Sequence, residues 1–262
     1  MTRRPPALLL AVGLFTVVPV RAHDLDRDAA RRLILALPWL GLLLGLGAGA
    51  LAWGAAALGA GALLASAVAL TALALVTGAM HLDGLADTAD GIGSRKPPEQ
   101  AVAIMKRSDI GPMGVATVVL VLLLGAAALA SPRVSSPGPW ALPAAVAGAA
   151  MTGRLLALAA TTARSPAAHA SGFAQLFGGV TSGRGLVLSL CAVGVADCLL
   201  GYGASGPRGL VVFATAGAVA WCVGLYWRGR VIRRLGGVNG DVWGSLIELG
   251  QLAFWLVLAV AL

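Results

Sequence analysis

Charge is scarce in this 262-residue chain: 11% of its residues are Asp, Glu, Lys or Arg, against about 25% in a soluble domain. Residues 33–80 carry no charge at all, 58% of the chain is hydrophobic, and the mean hydropathy is +0.88. That balance excludes a soluble fold and puts the chain in a bilayer. Cysteine is equally sparse. Cys191, Cys198 and Cys222 lie in apolar segments without a CxxC or Cys/His pattern, which excludes a disulfide framework or a zinc site and leaves small core residues. The chain has no P-loop, kinase signature or nucleophile elbow. It also has no fixed-period repeat of the kind that builds the inverted halves of a transporter.

What is present is alternation. Apolar stretches are separated by short basic clusters, so the net charge of +8 reads as a topology signal and not as a nucleic-acid surface. The pattern predicts an all-α polytopic bundle of about seven transmembrane helices. Two lie in residues 33–80 with a turn near 54–59; the others cover about 110–131, 140–163, 186–202, 209–227 and 242–262. The apolar run at residues 7–18, with Arg3 and Arg4 before it and Pro5, Pro6 and Pro19 around it, is too short for a comfortable span. It fits a signal peptide cleaved near Ala22 or a short helix at the membrane surface, and is read as interfacial or re-entrant. With the N-terminus inside, 16 of the 19 basic residues fall on the inner side, an asymmetry that sets orientation.

The densest polar feature is HLDGLADTADG, residues 81–91. It sets Asp83, Asp87 and Asp90 at i, i+4 and i+7, so on a helix their carboxylates share one face and repel. A divalent cation removes that conflict, because Mg²⁺ is held by carboxylates together with substrate phosphates. Gly84 and Gly91 leave room for a ligand or a second backbone at a helix cost of about 1 kcal/mol each. The other acid run, Asp24, Asp26 and Asp28, is interleaved with Arg21 and Arg27 and reads as solvated and self-neutralising.

Two further stretches belong with the first. GGVNGD, residues 236–241, places Asp241 at the start of the last span with Ser245 and Glu248 on the same helix face; an acid there is also an ordinary cap. IMKRSDIGPMG, residues 104–114, supplies Lys106, Arg107 and Asp109, with Gly111 and Gly114 as backbone amides able to face an anion. Arg154 lies roughly 15 Å inside its span. It is either a phosphate clamp or a side chain satisfied by a backbone carbonyl. Asp197, also intramembrane, reads as structural. Acids and cations around one inner-face cavity describe diphosphate chemistry.

Asp87-x-x-Asp90-Gly91 with Arg95 downstream is similar to the DxxDG theme of CDP-alcohol phosphotransferases, whose spacing it does not match. The stronger likeness is to cobalamin synthase, the adenosylcobinamide-GDP ribazoletransferase family. HLDGLADTADG, IMK-x-S-x-IG-x-x-G, GGV-x-GD and the N-terminal LFTVVPV resemble that family over nearly the whole chain. The resemblance implies one membrane-embedded transferase domain, residues 1–262, in a bacterial inner membrane. Loops at about 81–111, 164–184 and 228–242 would face the cytoplasm. It implies that adenosylcobinamide-GDP and α-ribazole, or its 5′-phosphate, are joined with release of GMP and with Mg²⁺ as cofactor. Carried onto this chain, Asp83, Asp87, Asp90 and Asp241 would hold metal and diphosphate. His81 or one of the aspartates would take the ribazole hydroxyl proton. Arg95, Lys106, Arg107, Arg154, Gly111, Gly114 and Asn239 would bind substrate. The family usually has an acid where Arg107 stands, often a base at Asp109, and threonine at Asn239. Partners beyond substrates and lipid would be a second copy or other enzymes of the same pathway. A transporter, the competing class, would hold its acids near the bilayer midplane.

Overall fold

The charge-free run folds as two packed helices, α2 (Arg27–Ala57) and α3 (Ala62–Val76), joined by a tight turn through Gly59. The computed structural model describes residues 5–21, 25–135, 138–166 and 176–262. Arg3, Arg4, Ala22, Asp24 and His169 lie outside the described residues, as do parts of the 131–139 turn and the 164–184 loop. Asp26 starts α2 by accepting the Ala29 N–H at 2.7 Å, and Asp28 pairs with Arg31 and Arg32 at 3.5 and 3.4 Å. Before it, α1 (Ala7–Phe15) is nine residues long, too short to cross a bilayer. It packs on α2 through buried Leu10, Ala11 and Phe15, and the Val17 N–H donates to the Val76 carbonyl at 2.9 Å.

Beyond Val76 the chain departs from the expected second span. Gly78 and Ala79 are left-handed, at φ 60° and 58°, and α4 (Met80–Gly93) leaves at 89° to α3. The span predicted to reach Met80 therefore shortens to the 15 residues of α3. The stretch predicted as a loop, 81–111, is mostly helical. α4 buries His81, Leu85, Ala86 and Thr88, and its three acids and 14 residues rule it out as a spanning segment. α5 (Pro98–Met105) packs beneath it.

The remaining helices are α6 (Pro112–Ala130), the four-residue α7 (Pro132–Ser135), α8 (Ala141–Ala159), α9 (Gly183–Leu235) and α10 (Gly240–Ala261). Five of these helices, α2, α6, α8, α9 and α10, are long and apolar enough to cross a membrane, or six if α3 and α4 count as one bent span. α9 is itself a hairpin. Ser205 and Gly206 are non-helical ahead of Pro207, and Gly201 lies against Gly209 and Phe213. Its limbs, 183–204 and 207–235, correspond to the fifth and sixth expected spans. Among the described residues the only β feature is an isolated bridge between Thr162 and Thr181.

α8 is the axis of the bundle, with all 19 residues buried. Its sequence is mostly alanine and glycine, which lets neighbouring helices approach closely. Gly41, Gly45 and Gly49, four residues apart on α2, face Ala150, Ala147 and Pro143 of α8. α9 and α10 close the other sides. The bundle thereby gathers α4, α5 and the starts of α6 and α10 at one end.

Candidate active site

α4 and α10 touch backbone to backbone. A Cβ on Gly84 would lie 2.6 Å from the Asp241 carbonyl oxygen and 2.8 Å from its Cα, and one on Gly244 would lie 2.8 Å from the His81 carbonyl oxygen. Only hydrogen fits at these positions, and their absence of side chains carries Asp241 into the row of α4 acids. Asn239 sets the entry to α10 in two ways. Its Oδ1 accepts the Val242 N–H at 3.0 Å, a conventional N-cap, while its Nδ2 donates to Asp241 Oδ2 at 2.9 Å. The residue expected to touch substrate thus orients an acid.

The crowding has an electrostatic signature. The Asp87 carboxyl is pushed up to about 7, first by burial and then by the fields of Asp83, Asp241 and Asp90. Among the described residues no ion pair within 4.0 Å neutralises any of these four acids. Lys106, at the C-terminal end of α5, acts on Asp241 through its charge.

Asp90 stands apart. Its Oδ2 takes the Gly111 N–H at 2.7 Å and its Oδ1 the Gly114 N–H at 2.8 Å. Gly111 is the N-cap of α6 and has no side chain with which to cap it, so Asp90 caps α6 from another helix. The two amides expected to face a substrate anion are therefore occupied by the protein's own carboxylate. A Cβ at Gly111 or Gly114 would lie 2.5 Å from an Asp90 oxygen.

The donor set suits a hard divalent cation shared with phosphate. Among the described residues no three of His, Cys, Asp and Glu form a ready cage. Magnesium, however, commonly takes one or two carboxylates and completes its octahedron with water and substrate oxygens. Asp83, Asp87 and Asp241, close-set and without a paired cation, match that mode.

A family model described as cobalamin-5-phosphate synthase matches residues 7–259. The chain belongs to the cobalamin-5-phosphate synthase family. Relatives named adenosylcobinamide-GDP ribazoletransferase are similar along nearly their whole length. The Frankia casuarinae protein is 35% identical, over 96% of this chain and 94% of its own. The Brevibacillus brevis protein is 32% identical, over 96% and 97%, and the Citrobacter koseri protein 35%, over 92% and 93%. No solved structure matches the chain.

In this cobalamin-5-phosphate synthase family member the other expected residues divide into two groups. Arg95, Lys106 and Arg107 are exposed on the turns flanking α5, at the same end as the acids. His81 and Arg154 are deep, 5% and 1% exposed. Burial holds the His81 imidazole well below its ordinary range, with the Arg154 charge adding to the effect. Arg154 Nη1 donates to the Ala150 carbonyl at 3.0 Å, the backbone-satisfied alternative. Two residues outside the expected site lie beside them, Glu248 and Gln251 of α10. The spacing of Asp241, Ser245 and Glu248 carried the signal for Glu248. Ser245 is turned elsewhere, accepting the Trp227 Nε1–H at 2.9 Å. Asp197, as expected, is structural: its Oδ2 accepts the Thr152 hydroxyl at 2.9 Å and ties α9 to α8.

Proposed function

We propose that this family member joins adenosylcobinamide-GDP to α-ribazole, or to its 5′-phosphate, with release of GMP, at the acid cluster where α4 meets α10. The single observation that carries the reading is the contact of Gly84 with the Asp241 backbone, which brings acids more than 150 positions apart into one site. The relatives' names supply the substrates.

In the proposed reaction the ribazole 5′-oxygen attacks the phosphorus on the cobinamide side of the diphosphate. A new P–O bond forms as the bond to the GMP oxygen breaks, and GMP leaves with the electron pair. The hydroxyl proton passes to a carboxylate of the cluster. His81 is a poor alternative acceptor, since its Nε2 is buried away from that face. Lys106 and Arg107 steady the diphosphate from the turn after α5, and Asn239 holds the Asp241 carboxylate in one orientation. Mg²⁺ held by Asp83, Asp87 and Asp241 would supply neutralisation of the charge that builds on the leaving phosphate. Asp90 contributes chiefly by fixing α6 against α4.

The site would face the cytoplasm of a bacterial inner membrane, the side on which 16 of the 19 basic residues fall. Association with a second copy or with other enzymes of the pathway would use the same inner loops. Proteoliposomes given adenosylcobinamide-GDP, α-ribazole and Mg²⁺ test the reading. The expected result is equimolar GMP and cobalamin. Absence of both products, or GMP released without need of ribazole, would overturn it.

A further inference from the structure

Beneath the acid cluster lies a second polar group that the reaction above leaves without a role. Arg154 of α8 is 1% exposed, with one guanidinium N–H bonded to its own helix and Nε without a partner. His81, in the first turn of α4, is 5% exposed with Nε2 unpartnered. Glu248 and Gln251 of α10 complete the group. The Glu248 charge acts on Arg154, and Gln251 stands beside Glu248 on the same helix. All four border one cavity of about 20 Å³, room for about one water molecule. The remaining walls are almost entirely apolar: Leu70, Leu73, Leu82, Leu122 and Trp255 are among them.

A guanidinium at this depth costs at least about 2.5 kcal/mol unless compensated, and such residues pair with an acid or line a polar cavity. Here Arg154 lines a cavity that Glu248 also borders. Glu248 is seven residues beyond Asp241, roughly 10 Å deeper along the same helix, so α10 presents one acid to the α4 carboxylates and another to Arg154. Gly244 lies between them and touches the His81 backbone. The stem of Arg154 is fixed from the other side, since Gly41 of α2 lies against its Cδ. Three helices thus bring polar side chains to one cavity, and the helix with the least apolar burial among them, α4, carries three of the four site acids.

We propose that Glu248 is the counter-ion of Arg154 and that this pair, with His81 and a bridging water in the shared cavity, fixes the first turn of α4 and hence the positions of Asp83 and Asp87. Glu248 is on this reading a positioning residue. Arg154 acts from below the site and does not grip the diphosphate. The inference rests on the acid cluster being the reaction centre, but its structural half stands independently of the substrate.

The test uses the full chain in proteoliposomes and three variants: Glu248→Gln, Glu248→Asp and the doubly neutral Glu248→Gln/Arg154→Met. Hydrogen exchange read by mass spectrometry reports on α4 directly. Exchange in residues 80–93 should rise at least fivefold in Glu248→Gln, with residues 141–159 unchanged, and Glu248→Asp should recover part of the protection. In the ribazole assay kcat should fall tenfold or more while KM for both substrates stays within threefold. If Glu248→Gln fails to fold, the doubly neutral chain, which leaves no buried charge unpaired, carries the test. It should melt near wild type yet keep the exchange and kcat defects. Wild-type exchange in α4, or a doubly neutral chain with kcat restored to within twofold, overturns the proposal. Failure of the wild type itself to make cobalamin would instead count against the reaction assigned above, leaving the exchange result to decide this one.

Discussion

Gly84 of α4 lies so close to Asp241 of α10 that a methyl group on it would sit 2.6 Å from the Asp241 carbonyl oxygen. Backbone cannot yield as a side-chain end can, so Gly84→Ala must push the two helices apart. Overpacking of this kind costs about 1–3 kcal/mol. The separation also moves Asp241 from Asp83 and Asp87. We expect ribazoletransferase activity to fall by more than tenfold while the melting temperature drops only a few degrees. Thermal melts and turnover measured on the same preparation check this, and intact turnover would mean that the α4–α10 spacing is not set here.

Asp90 is expected to behave differently from its neighbours. Both of its oxygens accept N–H groups from the start of α6. Asp90→Asn replaces one acceptor with an amide that faces an N–H, and losing a charged acceptor costs about 1.5–3 kcal/mol. The variant should lose stability first, with α6 fraying at residues 111–115 in hydrogen exchange. Asp83→Asn and Asp87→Asn should leave stability equal or higher, because each relieves like-charge repulsion. Equal stability losses in all three would contradict the distinction.

Asn239 links cap and site. Asn239→Ala removes an N-cap, worth about 0.5–2 kcal/mol, together with the hydrogen bond that orients Asp241. Asn239→Thr keeps an oxygen for the Val242 N–H. It should retain most of the stability and test how much the bond to Asp241 adds to turnover. The expected order of kcat is wild type, then Thr, then Ala, read at saturating substrates.

Much of this could be read from the sequence. The three α4 acids share a face because their spacing is helical, and the apolar runs coincide with the five helices long and apolar enough to cross a membrane. The α9 hairpin was expected as two spans, with its break within a few residues of Gly206. Other features depended on contacts that spacing does not encode. Nothing in residues 33–80 marks the left-handed pair Gly78–Ala79, so the apolar pattern carries the second span through to Met80. The pairing of Asp90 with the α6 amides requires two segments about 20 residues apart to meet, which spacing along the chain does not encode. The sequence places Arg154 deep within its span. Its partner Glu248 was visible only as a position on the Asp241 face.

Stability should depend on pH in a direction fixed by Asp87. Its carboxyl is raised from 3.8 to about 7 in the folded chain, chiefly by burial and then by Asp83, Asp241 and Asp90. An acid raised on folding holds more protons folded than unfolded between those two values, so stability falls as pH rises through that window. In chelator the melting temperature should therefore decline from pH 5 to pH 7.5. Asp87→Asn should flatten the decline, and Mg²⁺ at pH 7.5 should reverse it. A melting temperature that rises over the same range with chelator present would contradict the crowding described here.

The central claim is that α4 and α10 contribute acids to one reaction centre, and a double-mutant cycle on turnover tests it most directly. Asp87→Asn and Asp241→Asn are each expected to lower kcat/KM by about 100-fold or more, the scale of losing a group that acts in the transition state. Residues working as one unit are non-additive, so the double variant should be little worse than the poorer single. Multiplicative losses, or an Asp241→Asn variant that turns over like wild type, would contradict a shared site.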